Sequence, residues 1–236
     1  MEKYDGLPQV SQRVRKMKTV LVTGGTTRLG LAIAKHLRSV GWRVLSSSHR
    51  ADAGADVVAD LSDPMGAARL YAAARSLLGG APPDALVNNA ALFVGDDAAV
   101  EAVNLSAPMK LTMMMAGREG GRGAVVNILD AAILPTRLSG NRHSCASPRY
   151  AGTKRDLLDY TMKAAAMFAD TLRVNAVAPG SVMAPVGVSE KAGETLIGRP
   201  CAEDVARAVE FLLEADATTG AVIPVDGGAH LLTERA

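Results

Sequence analysis

The sequence has few cysteines, little net charge and no long apolar run. Its two cysteines, Cys145 and Cys201, are too few for a disulfide framework or a four-thiolate zinc site. A formal net charge of +2 provides no basic surface of the kind that binds nucleic acids. No apolar stretch approaches the roughly 18 residues of a membrane-spanning helix, and the polar N-terminus lacks the apolar segment of a secretory signal. We therefore expect a soluble, cytoplasmic protein that binds neither nucleic acid nor membrane.

Short apolar runs alternate with longer stretches of helical spacing from residue 18 almost to the end of the chain. In the first such stretch, Leu29, Ile33, Leu37 and Val40 share one helix face, and Gly41 ends the helix. Strands separated by helices predict a doubly wound α/β fold, a parallel sheet of about seven strands with helices on both faces. We assign residues 1–17 to an N-terminal tail and residues 18–236 to a single domain. The predicted strands cover 18–22, 43–47, 56–59, 85–87, 123–128, 172–177 and 221–225, and the predicted helices cover 29–40, 64–78, 97–115, a stretch from 147, and 202–213.

Two connections between these elements are unusually long, residues 130–147 and residues 179–200. Both leave the carboxyl ends of predicted strands, which is the edge where open α/β sheets bind their ligands. Long loops at that edge are more often functional than idle. We therefore expect the functional site at this edge of the sheet.

A glycine-rich turn, Thr23-Gly24-Gly25-Thr26-Thr27-Arg28-Leu29-Gly30, joins the first strand to the first helix. Glycine lets the backbone approach a ligand closely, and the N–H groups at a helix N-terminus attract phosphate. In this strand–turn–helix context the turn predicts a dinucleotide site, with Gly24, Arg28, Leu29 and Gly30 beside the cofactor. A tight turn without a ligand is the alternative.

The end of the second strand, Ser48-His49-Arg50, lies where dinucleotide-binding folds distinguish the two nicotinamide cofactors. An acidic residue here would bind a free ribose hydroxyl, whereas Arg50 can bind a 2′-phosphate. The residues therefore favour NADP(H) over NAD(H), and the alternative is that Arg50 is only a surface charge. Asp60, at the end of the third strand, is a candidate for the adenine amino group or for a helix N-cap.

In this order along the chain, the motifs resemble those of the short-chain dehydrogenase/reductase family over about residues 18–232. The resemblance implies a Rossmann-type fold and a homotetramer or homodimer packed through the helices after strands four and five. It also implies cofactor contacts at Leu61, Asn89, Ala90, Ile128, Tyr150, Lys154, Pro179 and Gly180, besides those of the turn and of the second strand. The matching motifs are the glycine turn, Asp60-Leu61, Asn88-Asn89-Ala90, Asn104, Tyr150-Ala-Gly-Thr-Lys154, Pro179-Gly180 and Val225-Asp226-Gly227-Gly228.

Tyr150 and Lys154 are the predicted catalytic pair. Four residues apart on one helix, their side chains share a face. A free tyrosine has a pKa near 10, and a neighbouring ammonium lowers that pKa towards the range useful for general acid–base catalysis. The resemblance further implies that Asn104 supports a water relay to this lysine. A polar residue on a helix surface is the alternative for Asn104.

Two residues depart from the general family pattern, and together with a third match they resemble its pteridine reductase branch, which includes dihydromonapterin reductases. Arg28 replaces the middle glycine of the turn, and Asp130 replaces the usual catalytic serine after strand five. Phe93 falls where that branch stacks an aromatic ring on the pterin. The branch thus implies a substrate site of Arg28, Phe93, Asp130 and Tyr150, with Asp130 assisting proton delivery. Alternatively, Phe93 is an apolar loop anchor and Asp130 a loop-capping carboxylate.

The spacing between Asp130 and Tyr150 is several residues longer than in that branch. The surplus lies in a polar loop, Leu138 to Cys145, at the mouth of the predicted substrate site. We predict no metal site for His143 and Cys145 within it, because no second His/Cys cluster accompanies them. Ser144 or Ser147 could replace the missing serine, but Asp130 is nearer the end of the strand.

These features together predict an NADPH-dependent pterin reductase that converts a dihydropterin to its tetrahydro form, with dihydrofolate as a secondary substrate. Tyr150, Lys154 and Asp130 would deliver the proton. The first alternative is a carbonyl reductase of the same fold, acting on a ketone, a sugar or an acyl-thioester. The second is a non-catalytic NADP(H)-binding protein, for which the presence of both Tyr150 and Lys154 has no explanation.

Overall fold

A computed structural model describes residues 17–119, 121–134, 147–183 and 195–232. Seven strands form one parallel sheet in the order β3-β2-β1-β4-β5-β6-β7, which confirms the predicted doubly wound, Rossmann-type fold. The strands are β1 (Thr19–Val22), β2 (Arg43–Ser48), β3 (Val57–Val58), β4 (Ala85–Asn88), β5 (Gly123–Ile128), β6 (Leu172–Pro179) and β7 (Val222–Val225). The helices are α1 (Arg28–Ser39), α2 (Gly66–Leu77), α3 (Asp97–Glu101), α4 (Ala107–Ala116), α5 (Pro148–Met167) and α6 (Ala202–Glu214).

Helices cover both faces of the sheet and bury two apolar cores against it. Ile33 and Leu37 of α1 pack with Val209 of α6 on one face. Leu70 of α2 and Leu111 of α4 pack on the other. Because both faces are covered, strands such as β1 and β5 are buried along their whole length and consist largely of apolar residues. Within the described ranges, no helix is both long enough and apolar enough to cross a bilayer.

Several predicted elements have different bounds in the structure. The predicted helix over 97–115 is α3 and α4 joined by a π-helical turn, Ala102–Ser106. β3 keeps only two residues of the predicted strand 56–59, whereas β6 extends beyond the predicted end to Pro179. Val40, placed on the apolar face of α1 by its spacing, is the C-cap residue and is 44% exposed. The predicted tail lies outside the described residues except for Met17.

The direction of strand order reverses between β1 and β4, which lie side by side in the middle of the sheet. Val22 of β1 pairs with Ser46 of β2 on one side and with Val87 of β4 on the other. The chain leaves β1 for a helix on one face and leaves β4 for a helix on the other. Such a reversal opens a crevice at the carboxyl ends of the strands, and the predicted site residues lie along it.

Candidate active site

The glycine turn after β1 is bound to the end of β4 by a small network of hydrogen bonds. Thr23 Oγ1 accepts bonds from the backbone N–H groups of Asn89 (2.9 Å) and Ala90 (3.0 Å). In return, Asn89 Nδ2 donates to the carbonyl oxygens of Thr23 (2.9 Å) and Gly24 (3.3 Å). The structure therefore brings together Gly24, Asn89 and Ala90, and adds Thr23, which the sequence did not single out. The signal for Thr23 in the sequence was a hydroxyl-bearing residue directly after the first strand.

Gly30 is the tightest position in this turn. A Cβ atom on Gly30 would lie 2.0 Å from the carbonyl oxygen of Gly24 and 2.5 Å from Asn89 Nδ2. Gly24 has a φ of +62°, a conformation that favours glycine. Leu29 contributes differently, because its half-buried side chain packs against the core beneath α1. The turn is thus closed tightly enough to aim the first N–H groups of α1 at a ligand.

The N-terminus of α1 fits a phosphate group. Its N-cap residue, Thr27, makes no side-chain hydrogen bond to the first turn, and that turn contains no acidic residue. Helix N–H groups without a side-chain cap favour an anion, and an exposed arginine adds positive charge beside them. Arg28 supplies that arginine. Among the described residues, Arg28 alone combines a side chain with a positive φ, +49°.

The positive φ of Arg28 is a strained backbone conformation for a residue with a side chain. Replacing Arg28 by glycine tests whether the protein retains this strain for ligand binding. A left-handed conformation costs a side-chain-bearing residue roughly 1–2 kcal/mol, and glycine's greater freedom when unfolded offsets part of that gain. We expect R28G to raise the free energy of unfolding by up to about 1 kcal/mol and to weaken cofactor binding severalfold. R28A is the matched control, because it removes the charge but retains the conformation. Urea titration and calorimetric cofactor binding distinguish the two; equal stability of both variants would contradict the assignment of strain.

The end of β2 presents polar and basic groups, as predicted. Ser48 is buried, and its Oγ accepts a bond from the N–H of Arg50 (3.0 Å). Arg50 is exposed and forms an ion pair with Asp52. His49 is exposed beside them, and its positive charge when protonated lowers the pKa of Asp52, although less than Arg50 does. The carboxyl end of β2 thus carries polar and basic groups and, at Asp52, one carboxylate paired with Arg50.

The two residues that follow β3 have local roles in the structure. Asp60 Oδ1 accepts bonds from both the N–H (2.8 Å) and the hydroxyl (2.6 Å) of Ser62, which lower the pKa of its carboxyl group. The N-cap of α2 is Met65, so the N-cap alternative for Asp60 is wrong. Leu61 is buried in the core with α2, so only its backbone is placed to contact a ligand.

Asn104 is fully buried in the π-helical turn, so the alternative of a polar residue on the surface is wrong. Its side chain holds the loop after β4. Oδ1 accepts from the N–H of Leu92 (2.7 Å), and Nδ2 donates to the carbonyl of Leu92 (2.9 Å) and to Thr153 Oγ1 (3.4 Å). Within the described part of the chain, its amide makes no bond to Lys154. The relay from Asn104 to Lys154 stays a prediction.

Tyr150 and Lys154 lie on the inner face of α5, and both are buried. Ser147 is the N-cap of this helix, where its Oγ accepts from the N–H of Tyr150 (3.1 Å). Lys154 Nζ donates to the carbonyl oxygen of Ile128 at the end of β5 (2.7 Å) and lies 5.7 Å from the centroid of the Tyr150 ring. Burial lowers the pKa of Lys154 to about 8. The lysine is thus fixed between a strand end and the tyrosine.

Asp130 follows β5 and interacts with the same pair. Its Oδ1 accepts from the N–H of Ala132 (2.9 Å) and caps a short 3₁₀ turn, Ala131–Ile133, so the loop-capping contact is present. Its negative charge also raises the pKa of Lys154 against the larger effect of burial. The capping bond from Ala132 therefore does not exclude an electrostatic effect of Asp130 on Lys154.

Phe93 lies against Tyr150, with ring centroids 4.7 Å apart and an angle of 24° between the planes. The Phe93 side chain is 51% exposed, so the contact does not bury it as a loop anchor would. A cleft of about 750 Å³ extends from Phe93 along the first turns of α5; Ser147 and Thr153 line it, whereas the side chains of Tyr150, Lys154 and Asp130 lie outside its lining. Contacts of Phe93 with Tyr150, of Tyr150 with Lys154 and of Lys154 with Asp130 thus connect four residues from three segments of the chain.

Pro179 and Gly180 close the crevice at the end of β6. Gly180 donates to the carbonyl of Val225 (2.9 Å), and a Cβ on Gly180 would lie 2.7 Å from that of Asp226. Asp226 is buried and accepts bonds from the N–H of Gly228 (3.0 Å) and from Nδ1 of His230 (2.7 Å). The Val225-Asp226-Gly227-Gly228 motif was recognised in the sequence, but this supporting contact was not. The predicted loop of Leu138 to Cys145, including His143 and Ser144, lies outside the described residues.

Comparison with known proteins agrees with this arrangement. The family model for short chain dehydrogenase matches residues 18–195. Protein FixR of Bradyrhizobium diazoefficiens is 30% identical over 91% of this chain and 87% of its own, and L-xylulose reductase of Bos taurus is 31% identical over 89% and 96%. A solved structure described as a betaketoacyl-ACP reductase is 28% identical, with a TM-score of 0.73 over 91% of this chain and 99% of that one. The chain thus belongs to the short-chain dehydrogenase/reductase family of NAD(P)(H)-dependent oxidoreductases.

Proposed function

We propose that this protein is an NADPH-dependent carbonyl reductase whose substrate carries a ketone. The observation that carries the proposal is the buried Tyr150–Lys154 pair of α5, with Lys154 Nζ 5.7 Å from the centroid of the tyrosine ring and bonded to the end of β5. Two relatives support the ketone, because one is named for a keto sugar and the other for a betaketoacyl group. The comparisons thus favour a carbonyl substrate over the pterin that the sequence predicts.

In this proposal the protein orients the carbonyl group and supplies the proton. Bound NADPH supplies a hydride to the carbonyl carbon. The Tyr150 hydroxyl donates its proton to the carbonyl oxygen, and the Lys154 ammonium stabilises the phenolate that remains. The Ile128 carbonyl fixes Lys154 Nζ at 2.7 Å, so the charge stays beside the ring. Asp130 favours the charged form of the lysine.

The rate of reduction should depend on pH through Lys154. With a pKa of about 8, the lysine is an ammonium below that pH and neutral above it, so kcat/KM for reduction should fall above about pH 8. D130N removes the charge that raises the lysine pKa, so the falling limb should move to lower pH. The measurement is kcat/KM against pH for the wild type and the variant.

Asp159 provides the matched control for this experiment. It is an exposed carboxylate on α5, the helix that carries Lys154, and it does not contribute to the lysine's pKa shift. D159N changes the net charge by the same amount as D130N and should leave the falling limb where it is. An equal displacement in both variants would show a general effect of charge and contradict the role assigned to Asp130.

The preference for NADP(H) is part of the proposal and is based on the end of β2. No acidic residue occupies positions 48–50, where a carboxylate would repel a 2′-phosphate. Arg50 is exposed there with a guanidinium that suits bidentate phosphate binding. Equilibrium binding of NADPH and NADH to the same preparation tests the preference.

Pterin reduction is the second candidate, favoured by the ring of Phe93. A planar heterocycle could replace the Tyr150 ring as the partner of Phe93, since offset rings attract at the 4.7 Å separation seen here. Arg28 and Asp130 also match the pteridine reductase pattern. For this candidate the protonated atom is a ring nitrogen rather than a carbonyl oxygen.

Oxidation of NADPH at 340 nm with a defined panel separates the candidates. The panel contains a β-ketoacyl thioester, a ketose and simple ketones on one side, and dihydrobiopterin, dihydromonapterin and dihydrofolate on the other. Ketone turnover without pterin turnover supports the carbonyl proposal. Turnover confined to pterins overturns it in favour of the second candidate. Cofactor binding without any turnover indicates the non-catalytic alternative.

We also propose that the chain forms a homotetramer or homodimer through α4 and α5, as members of its family do. Met113 on α4 and Met162 and Met167 on α5 are exposed apolar side chains. Methionine adapts its shape to a partner surface, and such residues suit a helix–helix interface. Light scattering coupled to gel filtration measures the mass of the assembly.

A further inference from the structure

The guanidinium of Arg50 is bound by a carboxylate two residues further along the chain. Arg50 Nε donates to Asp52 Oδ1 (3.0 Å) and Arg50 Nη2 donates to Asp52 Oδ2 (2.8 Å). Both side chains are largely exposed. The ion pair lowers the pKa of Asp52, so the carboxylate remains charged at neutral pH. Two donors of the guanidinium are thus occupied by an anion of the protein itself.

The local backbone keeps the two groups together. Arg50 N–H is bound to Ser48 Oγ (3.0 Å), and Asp52 lies in a single 3₁₀ turn, Ala51–Ala53, that ends at Gly54 with a φ of +64°. A turn this short fixes the separation of residues 50 and 52. Asp52 therefore remains close to the guanidinium even if the ion pair between them opens.

A 2′-phosphate on the ribose would bind Arg50 through a parallel pair of N–H groups, and Asp52 already occupies one such pair, Nε and Nη2. Guanidinium binds phosphate with the same parallel pair of N–H groups with which it binds a carboxylate. The phosphate must therefore displace Asp52 from Arg50 or share the guanidinium with it. In either arrangement a second negative charge stays near the phosphate. His49 is close enough to Asp52 and Asp60 to contribute a small lowering of the pKa of each carboxyl group.

We propose that Asp52 is a specificity-determining residue that competes with the cofactor's 2′-phosphate for Arg50. It lowers the affinity for NADPH and leaves that for NADH unaffected, so the protein discriminates between the cofactors less strongly than Arg50 alone would allow. The inference rests on the proposed function, in which Arg50 binds the 2′-phosphate of NADP(H).

Replacing Asp52 by asparagine tests the inference. Exposed ion pairs contribute little individually, and removal of the nearby negative charge adds to the effect, so we expect D52N to bind NADPH about three- to tenfold more tightly. The affinity for NADH should not change. Isothermal titration calorimetry at fixed pH and ionic strength measures both, and adenosine 2′,5′-bisphosphate serves as a probe of the phosphate alone. These readouts need no substrate and no turnover.

Asp63 provides the matched control. It is an exposed aspartate on the connection to α2, in an ion pair with Arg69 (2.6 Å), and it does not contribute to the pKa shift of Arg50. D63N changes the net charge by the same amount and should not tighten NADPH binding. In the double variant R50M/D52N the gain from D52N should disappear. Equal tightening by D52N and D63N, equal tightening for NADH, or a gain that persists without Arg50 would each overturn the inference.

The single variant R50M distinguishes failure of this inference from failure of the proposed cofactor preference. If R50M weakens NADPH binding while D52N has no effect, Arg50 binds the phosphate and Asp52 does not compete. If R50M leaves NADPH binding unchanged, or the wild type binds neither cofactor, the proposed preference fails and the inference fails with it.

Discussion

Replacing Tyr150 by phenylalanine should reduce turnover by about 100- to 10,000-fold, the range that general acid catalysis contributes. The variant loses the hydroxyl to which the proposed mechanism assigns proton donation. It keeps the aromatic ring that stacks on Phe93, so the fold and the cleft should be preserved. Steady-state kinetics measures the loss, and calorimetry should show unchanged NADPH binding.

Tyr160 provides the matched control for Tyr150. It lies on the same helix, and its hydroxyl donates to the carbonyl oxygen of Met109 on α4 (3.2 Å), away from the lysine. Y160F loses one hydroxyl as Y150F does, but should retain turnover. Wild-type turnover in Y150F would contradict the assignment of Tyr150 as proton donor, whatever the substrate.

Replacing Gly30 by alanine should be the most disruptive single-methyl change in the glycine turn. The new Cβ would lie 2.0 Å from the Gly24 carbonyl oxygen, and neither backbone segment can move without opening the bonds to Asn89. Overpacking of this kind costs at least about 2 kcal/mol. We expect a corresponding loss of unfolding free energy and loss of NADPH binding, measured by urea denaturation and by calorimetry.

Gly152 provides the matched control for Gly30, because it tests whether replacing a helical glycine by alanine is destabilising in itself. It lies within α5, and a Cβ there would meet no atom within 4 Å. Because alanine is the better helix former, G152A should stabilise the protein by up to about 1 kcal/mol. If G30A were as stable and as competent to bind NADPH as the wild type, the closed turn would not be a requirement.

The order of elements was predictable because it depends on local patterns. Apolar runs bounded by glycine predicted the strands, and the spacing of Ile33 and Leu37 predicted the buried face of α1. The bounds were less predictable where tertiary contacts decide them. The spacing that placed Val40 on that face continues one residue past the last turn of the helix, and no pattern in residues 97–115 indicates a π-helical turn.

The candidate site was predictable as a set of residues but not as a set of contacts. Tyr150 and Lys154 could be paired because four residues on a helix fix their relation. The stacking of Phe93 on Tyr150 joins segments 57 residues apart, and the side chain of Asn104 holds Leu92, 12 residues away. Such contacts depend on how α5 and the loop after β4 pack on the sheet. Sequence spacing does not contain that information.

The central position of β1 has a consequence for how the protein folds during synthesis. One edge of β1 pairs with β2, which follows soon after it, but the other edge pairs with β4, and Thr19 bonds to Asp84, 65 residues later. At a synthesis rate of about 5–20 residues per second, that edge of β1 stays unpaired for roughly 3–13 s until the start of β4 has been synthesised. An unpaired apolar strand edge is a template for aggregation. The nascent chain therefore exposes one apolar edge of β1 until β4 has been synthesised and has paired with it.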